Sequence, residues 1–372
     1  MFEQWIETHR QEHMDLLLTL ARIPAPSNFE EQRAQFCKTW LEAQGARGVY
    51  IDDALNVILP LGVTDENPLA VYAAHIDVVF PDTTPLPLYE AAGKIFCPGI
   101  GDDTASVAAL LMGAKYILEA GLLPRDCGVL IVLDAGEEGL GNLKGMKALF
   151  DAYGHRIREF VSFDGGECRC VNRAVGSKRY RISIDTEGGH SYGAFGNRNA
   201  IAYMASLIDA LYTIKVPPLG KTTYNVGTIS GGTSVNTIAQ HAEMLYEFRS
   251  DEAEALAIME GHLKAALDFY RSKGITVTAE LVGDRPCSAA VDAEILSAMT
   301  AQAVAATARH YGRELTFAAG STDCNIPLSR GVAALCLGCY RGFGAHTREE
   351  YIETDSLVPG MHFLFEILLH HF

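Results

Sequence analysis

Apolar residues recur at helical spacing from the start of the chain, through Ile6, Leu16, Leu17 and Leu20, and predict an amphipathic opening helix. A second helix is predicted over 30–44, and the apolar run 69–76 reads as a strand. A helix of small residues follows over 105–120, then a strand over 128–134, a helix over 142–153 and a strand over 159–164. Runs such as VLIVLD are apolar at every position, which predicts a sheet covered on both faces. This alternation of helix and strand is the rhythm of an α/β domain.

The pattern changes after Gly176. Positions 178–186 alternate as a half-buried strand, and a helix over 199–213 carries Ile201, Met204, Leu207, Ile208 and Leu211 on one face. Strands over 222–230 and 240–250 come next, then a helix over 252–272 (Leu256, Met259, Leu263, Leu267, Tyr270) and a strand over 275–282. The order βαββαβ is the ferredoxin-like plan. From Ala290 the first rhythm returns, with a helix over 295–311, a buried strand over 332–337 and a closing helix over 355–371. The expectation is an α/β domain of residues 1–176 and 288–372, with a central mostly parallel sheet flanked by helices, into which a ferredoxin-like domain of residues 177–287 is inserted.

A chain of 372 residues sits where a single core stops growing, which agrees with two domains. Hydrophobic residues make up 48% and charged residues 20%, a globular composition. The first twenty residues are interspersed with charge and no apolar run is long enough for a bilayer, so neither a membrane span nor a secretory signal is expected. Acids outnumber bases 46 to 30, for a net charge of -16, which argues against a nucleic-acid or anionic-membrane partner. The nine cysteines are odd in number and scattered, and read as thiols in a reducing cytoplasm. The CxxC at Cys336 and Cys339 and the CxC at Cys168 and Cys170 lie in or beside apolar strands with no second matching pair, which favours buried thiols over a zinc or redox motif.

The acids and histidines that matter collect at strand ends. His75 and Asp77 close the strand over 69–76 and share one face, so they suit a metal ligand and the carboxylate that orients it; a lone histidine there is equally served by an ordinary hydrogen bond. In Gly99-Ile100-Gly101-Asp102-Asp103-Thr104 a helix cap accounts for one acid but not for two acids and two glycines. Glu137 and Glu138 follow the VLIVLD strand, where open α/β sheets place their chemistry, although a solvated acidic turn has the same look. Asp164 ends the next strand, and Gly344-Ala345-His346-Thr347 lies beyond the last. Together Asp102, Glu138 and Asp164 offer three negative charges and His75 and His346 two neutral nitrogens, the set that two divalent cations sharing a carboxylate require. Glu137 is left over as a base for the attacking water.

The series HID at 75–77, GIGDDTA at 99–105, GEEG at 136–139, DGG at 164–166 and GAHT at 344–347 resembles, in order and over nearly the whole chain, the dinuclear zinc peptidase and deacylase family of peptidase T, carboxypeptidase G, acetylornithine deacetylase and the aminoacylases. The resemblance implies a cytoplasmic amidohydrolase that cleaves the peptide bonds of small peptides with a water shared by two divalent metal ions, zinc first and cobalt or manganese as alternatives. It implies His75, Asp102 and Asp164 on one metal, Asp102, Glu138 and His346 on the other, Asp77 as the supporting acid and Glu137 as general base. It makes residues 177–287 a lid that pairs two subunits into a homodimer. There Gly188-Gly189-His190-Ser191 would steady the substrate carbonyl through His190, while Asn236 of GGTSVN and Arg249 would grip substrate polar groups and a terminal carboxylate. Gly320-Ser321-Thr322-Asp323 resembles a further loop near the metals. Thr104, where relatives often have Lys, and Gly136, where they often have Asp, depart from the pattern without removing a ligand. An N-acyl amino acid deacylase is the alternative activity, and a zinc-binding homologue without catalysis the alternative of another class.

Overall fold

The computed structural model describes residues 2–372 and divides into two compact units: residues up to Ala174 with Ala289–Phe372, and Val175–Ser288. In the first unit lie β1 (Tyr50–Ile51), β2 (Val57–Leu61), β3 (Leu69–His75), β4 (Gly128–Asp134), β5 (Ile157–Phe163) and β6 (Arg169–Ala174). The second unit holds β7 (Gly176–Asp185), β8 (Thr222–Gly231), β9 (His241–Ser250) and β10 (Thr276–Arg285), after which β11 (Thr316–Gly320) and β12 (Ala333–Leu337) rejoin the first. The helices run α1 (Phe2–Thr8), α2 (Arg10–Ala21), α3 (Glu31–Ala43), α4 (Ser106–Glu119) and α5 (Lys144–Tyr153), then α6 (Ala200–Tyr212) and α7 (Ala253–Ser272) in the second unit, then α8 (Ala293–Tyr311), α9 (Asn325–Ser329) and α10 (Leu357–Leu368).

The large sheet of the first unit has the order β1-β2-β4-β3-β5-β12-β6-β11. Its four central strands, β4, β3, β5 and β12, are parallel, while β2 joins β4 and β6 joins β12 antiparallel. β3 and β4 are buried at every position. Successive residues of β3 serve opposite cores: Ala70, Tyr72 and Ala74 pack with α2, α4 and α10, and Leu69, Val71 and Ala73 with α5 and α9. The mostly parallel sheet flanked by helices agrees with the α/β expectation.

The opening helix, predicted as one, is two. The His9 ring folds back onto Trp5, with ring centroids 3.9 Å apart, and its Nδ1 donates to the Trp5 carbonyl at 2.8 Å. A side chain competing for that carbonyl ends α1, and α2 starts afresh at Arg10. Strands β6 and β11 escape the hydrophobic pattern because they lie toward the sheet margin: β11 has no buried position, and β6 (RCVNRA) buries only three of its six residues.

The second unit is a four-stranded antiparallel sheet of order β8-β9-β7-β10 whose element order is βαββαβ. β9 alternates buried and half-exposed residues, with Met244, Tyr246 and Phe248 packed against Met204 and Leu207 of α6 and Met259 and Leu263 of α7. Asn199 starts α6, its side chain accepting from the amides of Ile201 and Ala202. β8 lies at the sheet edge with its last five residues exposed.

Candidate metal centre

Because β3, β4 and β5 are parallel, their carboxyl ends lie along one edge of the sheet. β3 ends on His75, β4 leads through Asp134 to Glu137 and Glu138, and β5 leads to Asp164. Two loops complete the cluster, Gly99–Thr104 bringing Asp102 just ahead of α4, and the turn after Phe343 bringing His346. Gly101 is required in the first loop, since a Cβ there would lie 2.6 Å from the Tyr340 ring. His346 holds a left-handed backbone conformation, φ 65°, a mildly strained setting typical of functional loops.

Asp102 is the hinge of the arrangement. Its Oδ1 lies 3.1 Å from His75 Nε2, and its Oδ2 lies 3.1 Å from His346 Nε2, which in turn is 2.9 Å from Glu138 Oε1. Two groups of possible metal ligands follow, His75 with Asp102 and Asp164, and Asp102 with Glu138 and His346, the ligand atoms of each lying within 4.8 Å of one another. Glu137 falls in a third overlapping group with His75 and Glu138. All six residues that the sequence nominates for metal and base are thus brought together.

The charge balance fits cations. Burial, then the nearby Asp102 carboxylate, pushes Asp164 well above the usual carboxylate range, and burial raises Glu138 as well. Hydrogen bonding to Asp102 and Glu138 lifts His346 to about 10; burial alone would lower His75, but its bonds to Asp102 and Asp77 outweigh that and raise it. The cluster therefore stabilises positive charge at the very atoms that would coordinate a metal. His75 Nδ1 donates to the Asp77 carbonyl at 3.1 Å, so Nε2, 3.1 Å from Asp102 Oδ1, is the nitrogen turned into the cluster and would ligate a metal in place of its proton. These residues fit a pair of divalent ions in donor type, charge and tautomer.

Asp77 does more than orient His75. Its Oδ1 accepts from the Glu137 amide and its Oδ2 from the Glu138 amide, both at 3.0 Å, and Ser27 Oγ donates to Oδ2 at 2.6 Å. One buried residue thus aims His75 through its carbonyl and pins, through its carboxylate, the segment carrying both glutamates. Sequence reading missed two partners of this kind. Glu350 is buried and accepts from the amides of Gly99 (2.5 Å), Gly101 (2.9 Å) and Asp102 (2.9 Å), clamping the Asp102 loop. Its signal was weak, one of two adjacent glutamates four residues past His346. Asp103 accepts from the His75 amide at 3.2 Å, which answers why two acids stand in the loop. Behind the ligands lie Asp134 and Asp323, buried side chains; burial pushes the first up to about 7 and the second well above the carboxylate range. Gly320, Ser321 and Thr322 line a cavity of about 350 Å³ with Asp102 and Asp164, so that loop does reach the site.

The second unit treats its three nominated residues differently. Gly189-His190 pairs with Thr237-Ile238, and the Ser191 amide donates to the Asn236 carbonyl at 2.9 Å, so His190 and Asn236 are neighbours. His190 Nδ1 accepts from the amides of Tyr192 and Gly193, each at 3.3 Å, leaving Nε2–H as an outward donor. Arg249 stands eight residues along β9 from His241, about 26 Å at 3.3 Å per residue, near the end where the chain enters and leaves the unit. Its guanidinium grips Glu247 at 3.0 and 3.1 Å. The nine cysteines are all free, eight of them buried, with Cys339 donating to Ser106 Oγ. No helix among the described residues is long and apolar enough to cross a membrane.

Comparison with known proteins agrees with this fold. An uncharacterised protein of Bacillus subtilis (strain 168), YqjE, is 24% identical over 380 residues that cover 93% of this chain and 94% of the relative. A tripeptidase of Staphylococcus aureus subsp. aureus Mu50 superposes with a TM-score of 0.76 at 22% identity, covering 96% of this chain and 97% of that one. The Bacillus subtilis YXEP protein, described as a dinuclear metal binding peptidase from the M20 family, does so with a TM-score of 0.66 at 16% identity, covering 98% and 100%. The family model for peptidase family M20/M25/M40 matches residues 71–370, from within β3 to just past α10, and the chain belongs to that family.

Proposed function

We propose that this protein is a dinuclear metal-dependent exopeptidase that hydrolyses the peptide bonds of small peptides. The observation that carries the reading is Asp102, whose two carboxylate oxygens face two different imidazoles, His75 and His346, as a carboxylate shared by two cations must. Bound here, two divalent ions would polarise the scissile carbonyl and lower the pKa of water. His75, Asp102 and Asp164 would hold one ion and Asp102, Glu138 and His346 the other, zinc being the first choice for this mix of nitrogen and oxygen donors.

Glu137 takes the proton from the attacking water and passes it to the departing amine, so that the amine leaves neutral as the C–N bond breaks. Asp77 keeps Glu137 in place through its amide. His190 donates its Nε2–H to the oxyanion of the tetrahedral state.

The second unit, with its βαββαβ order, is read as a ferredoxin-like lid and dimerisation domain. The exposed edge strand β8 offers main-chain pairing to a second copy. Eight buried thiols favour a reducing cytoplasm.

The test is to load the protein with zinc, cobalt or manganese and follow by mass spectrometry a pool of dipeptides, tripeptides and N-acetyl amino acids, with Glu137→Ala as control. Cleavage of free-amine peptides, lost in the control, is expected. Cleavage confined to N-acetyl compounds would make the protein a deacylase, and no cleavage with metal bound would leave a binding protein on this fold.

A further inference from the structure

The cavity beside Asp102 and Asp164 lies wholly within the first unit, and one part of its lining is built of small residues, Gly165, Gly166, Gly320 and Ala345, with Tyr340 and Phe343 among the larger ones. One cation lines it, Arg169. Arg169 opens β6, and Val171, two residues on and therefore on the same face, lines the same cavity, so the arginine side chain stands on the cavity side of the strand. It is exposed, and among the described residues its guanidinium has neither an ion pair nor a hydrogen bond. The nearest acid in sequence, Glu167, is already shared by Arg313 at 3.1 Å and Arg341 at 3.2 Å.

Arg348, on the neighbouring loop, is by contrast paired with Asp82 at 2.6 Å. Arg249, the arginine that the family resemblance nominates for a carboxylate, is paired with Glu247 instead. A guanidinium offers a planar fork of donors that matches a carboxylate bidentately, and in a cavity partly lined by glycine there is room for the group to arrive.

Building on the peptidase reading above, we propose that Arg169 determines specificity by binding a carboxylate of the substrate in this cavity. The carboxylate could come from an Asp or Glu side chain or from the peptide terminus, and both present the same chemistry to Arg169.

Matched peptides separate the two sources. On the zinc-loaded protein, kcat/KM is measured for Ala-Glu against Ala-Gln and Glu-Ala against Gln-Ala, and for Ala-Ala against its C-terminal amide. The wild type should favour the carboxylate member of at least one pair by about 10- to 100-fold, the worth of a charge-assisted hydrogen bond. In Arg169→Met that ratio should fall to about 1, carried by KM; in Arg169→Lys it should fall only part of the way, and in Arg169→Glu it should fall below 1, in favour of the neutral member. A preference in the terminal pair alone would assign the terminus as source. Equal loss on both members of every pair, or an unchanged ratio in Arg169→Met, would overturn the proposal. If the wild type cleaves none of these peptides, the peptidase reading fails separately, and calorimetric titration of the same pairs onto wild type and Arg169→Met still decides whether Arg169 selects carboxylates.

Discussion

The two units hold most of their nominated residues in opposite ways, His346 alone among those of the first unit being exposed. In the first, His75, Asp77, Glu137 and Glu138 are almost wholly buried, and the Asp102 loop and the Glu137–Glu138 segment are anchored by backbone amides donating to a carboxylate. In the second, His190 and Asn236 sit on exposed loops and Arg249 is half-exposed. Buried like charges repel and are costly to desolvate, so their geometry must be imposed by neighbours and offset by cations. Exposed polar groups carry no such penalty and can wait in water for a substrate. On the proposed function, the difference divides the labour: fixed electrostatics in one unit, adaptable contacts in the other.

The comparison breaks first at Glu137. Glu137→Gln should lower kcat by about 10³-fold with little change in KM or in bound metal, as loss of a general base does. Retained turnover in the metal-loaded variant would remove Glu137 from the mechanism. Chelation should come next, lowering the Tm by several degrees, because removing cations leaves the carboxylates of the first unit uncompensated; an unchanged Tm would mean that they do not share a metal site.

A third effect isolates the fold of the first unit from its chemistry. His13, on α2, is buried with Nε2 unpartnered, and burial lowers its pKa to about 4. Its neutral form belongs to the folded state, so the contribution is complete above pH 6.5 and is lost as the pH falls toward 4, where the unfolded chain binds the extra proton. On the order of 3 kcal/mol is at stake for a shift of that size. His13→Phe should flatten this acid limb of a Tm-against-pH curve, and a parallel curve would contradict the assignment.

Smaller still, His190→Ala should reduce kcat by about 10²-fold, the worth of one oxyanion donor, while leaving the Tm and the metal content as they were. A large loss of stability would show that His190 belongs to the framework, like Asp77, and would erase the contrast between the units. Asp77→Asn is the reciprocal case: metal affinity should drop by about 10- to 100-fold because one oxygen acceptor is replaced by a donor beside two glutamate amides.

What was legible in the chain was what repeats or what terminates an element. Fully apolar strands such as Gly128–Asp134 announce a covered sheet, and the acids just beyond them announce chemistry. β6 and β11 were not legible, because marginal strands bury too few residues to leave a period, and with them went Arg169. The break at His9 was equally silent, since it depends on a ring stacking on Trp5 rather than on any breaker residue.

The sequence by itself determined the α/β rhythm, the inserted βαββαβ segment and the identity of the acids and histidines at strand ends, because burial and alternation write themselves into hydrophobic periodicity. Tertiary structure alone decided that Asp102 faces two imidazoles, that Asp77 and Glu350 carry the amides of the ligand loops, and that Arg169 stands unpaired in a cavity partly lined by glycine. Those facts join residues tens to hundreds of positions apart, and only the parallel stacking of β4, β3 and β5 and the loops around it bring them within a hydrogen bond of one another.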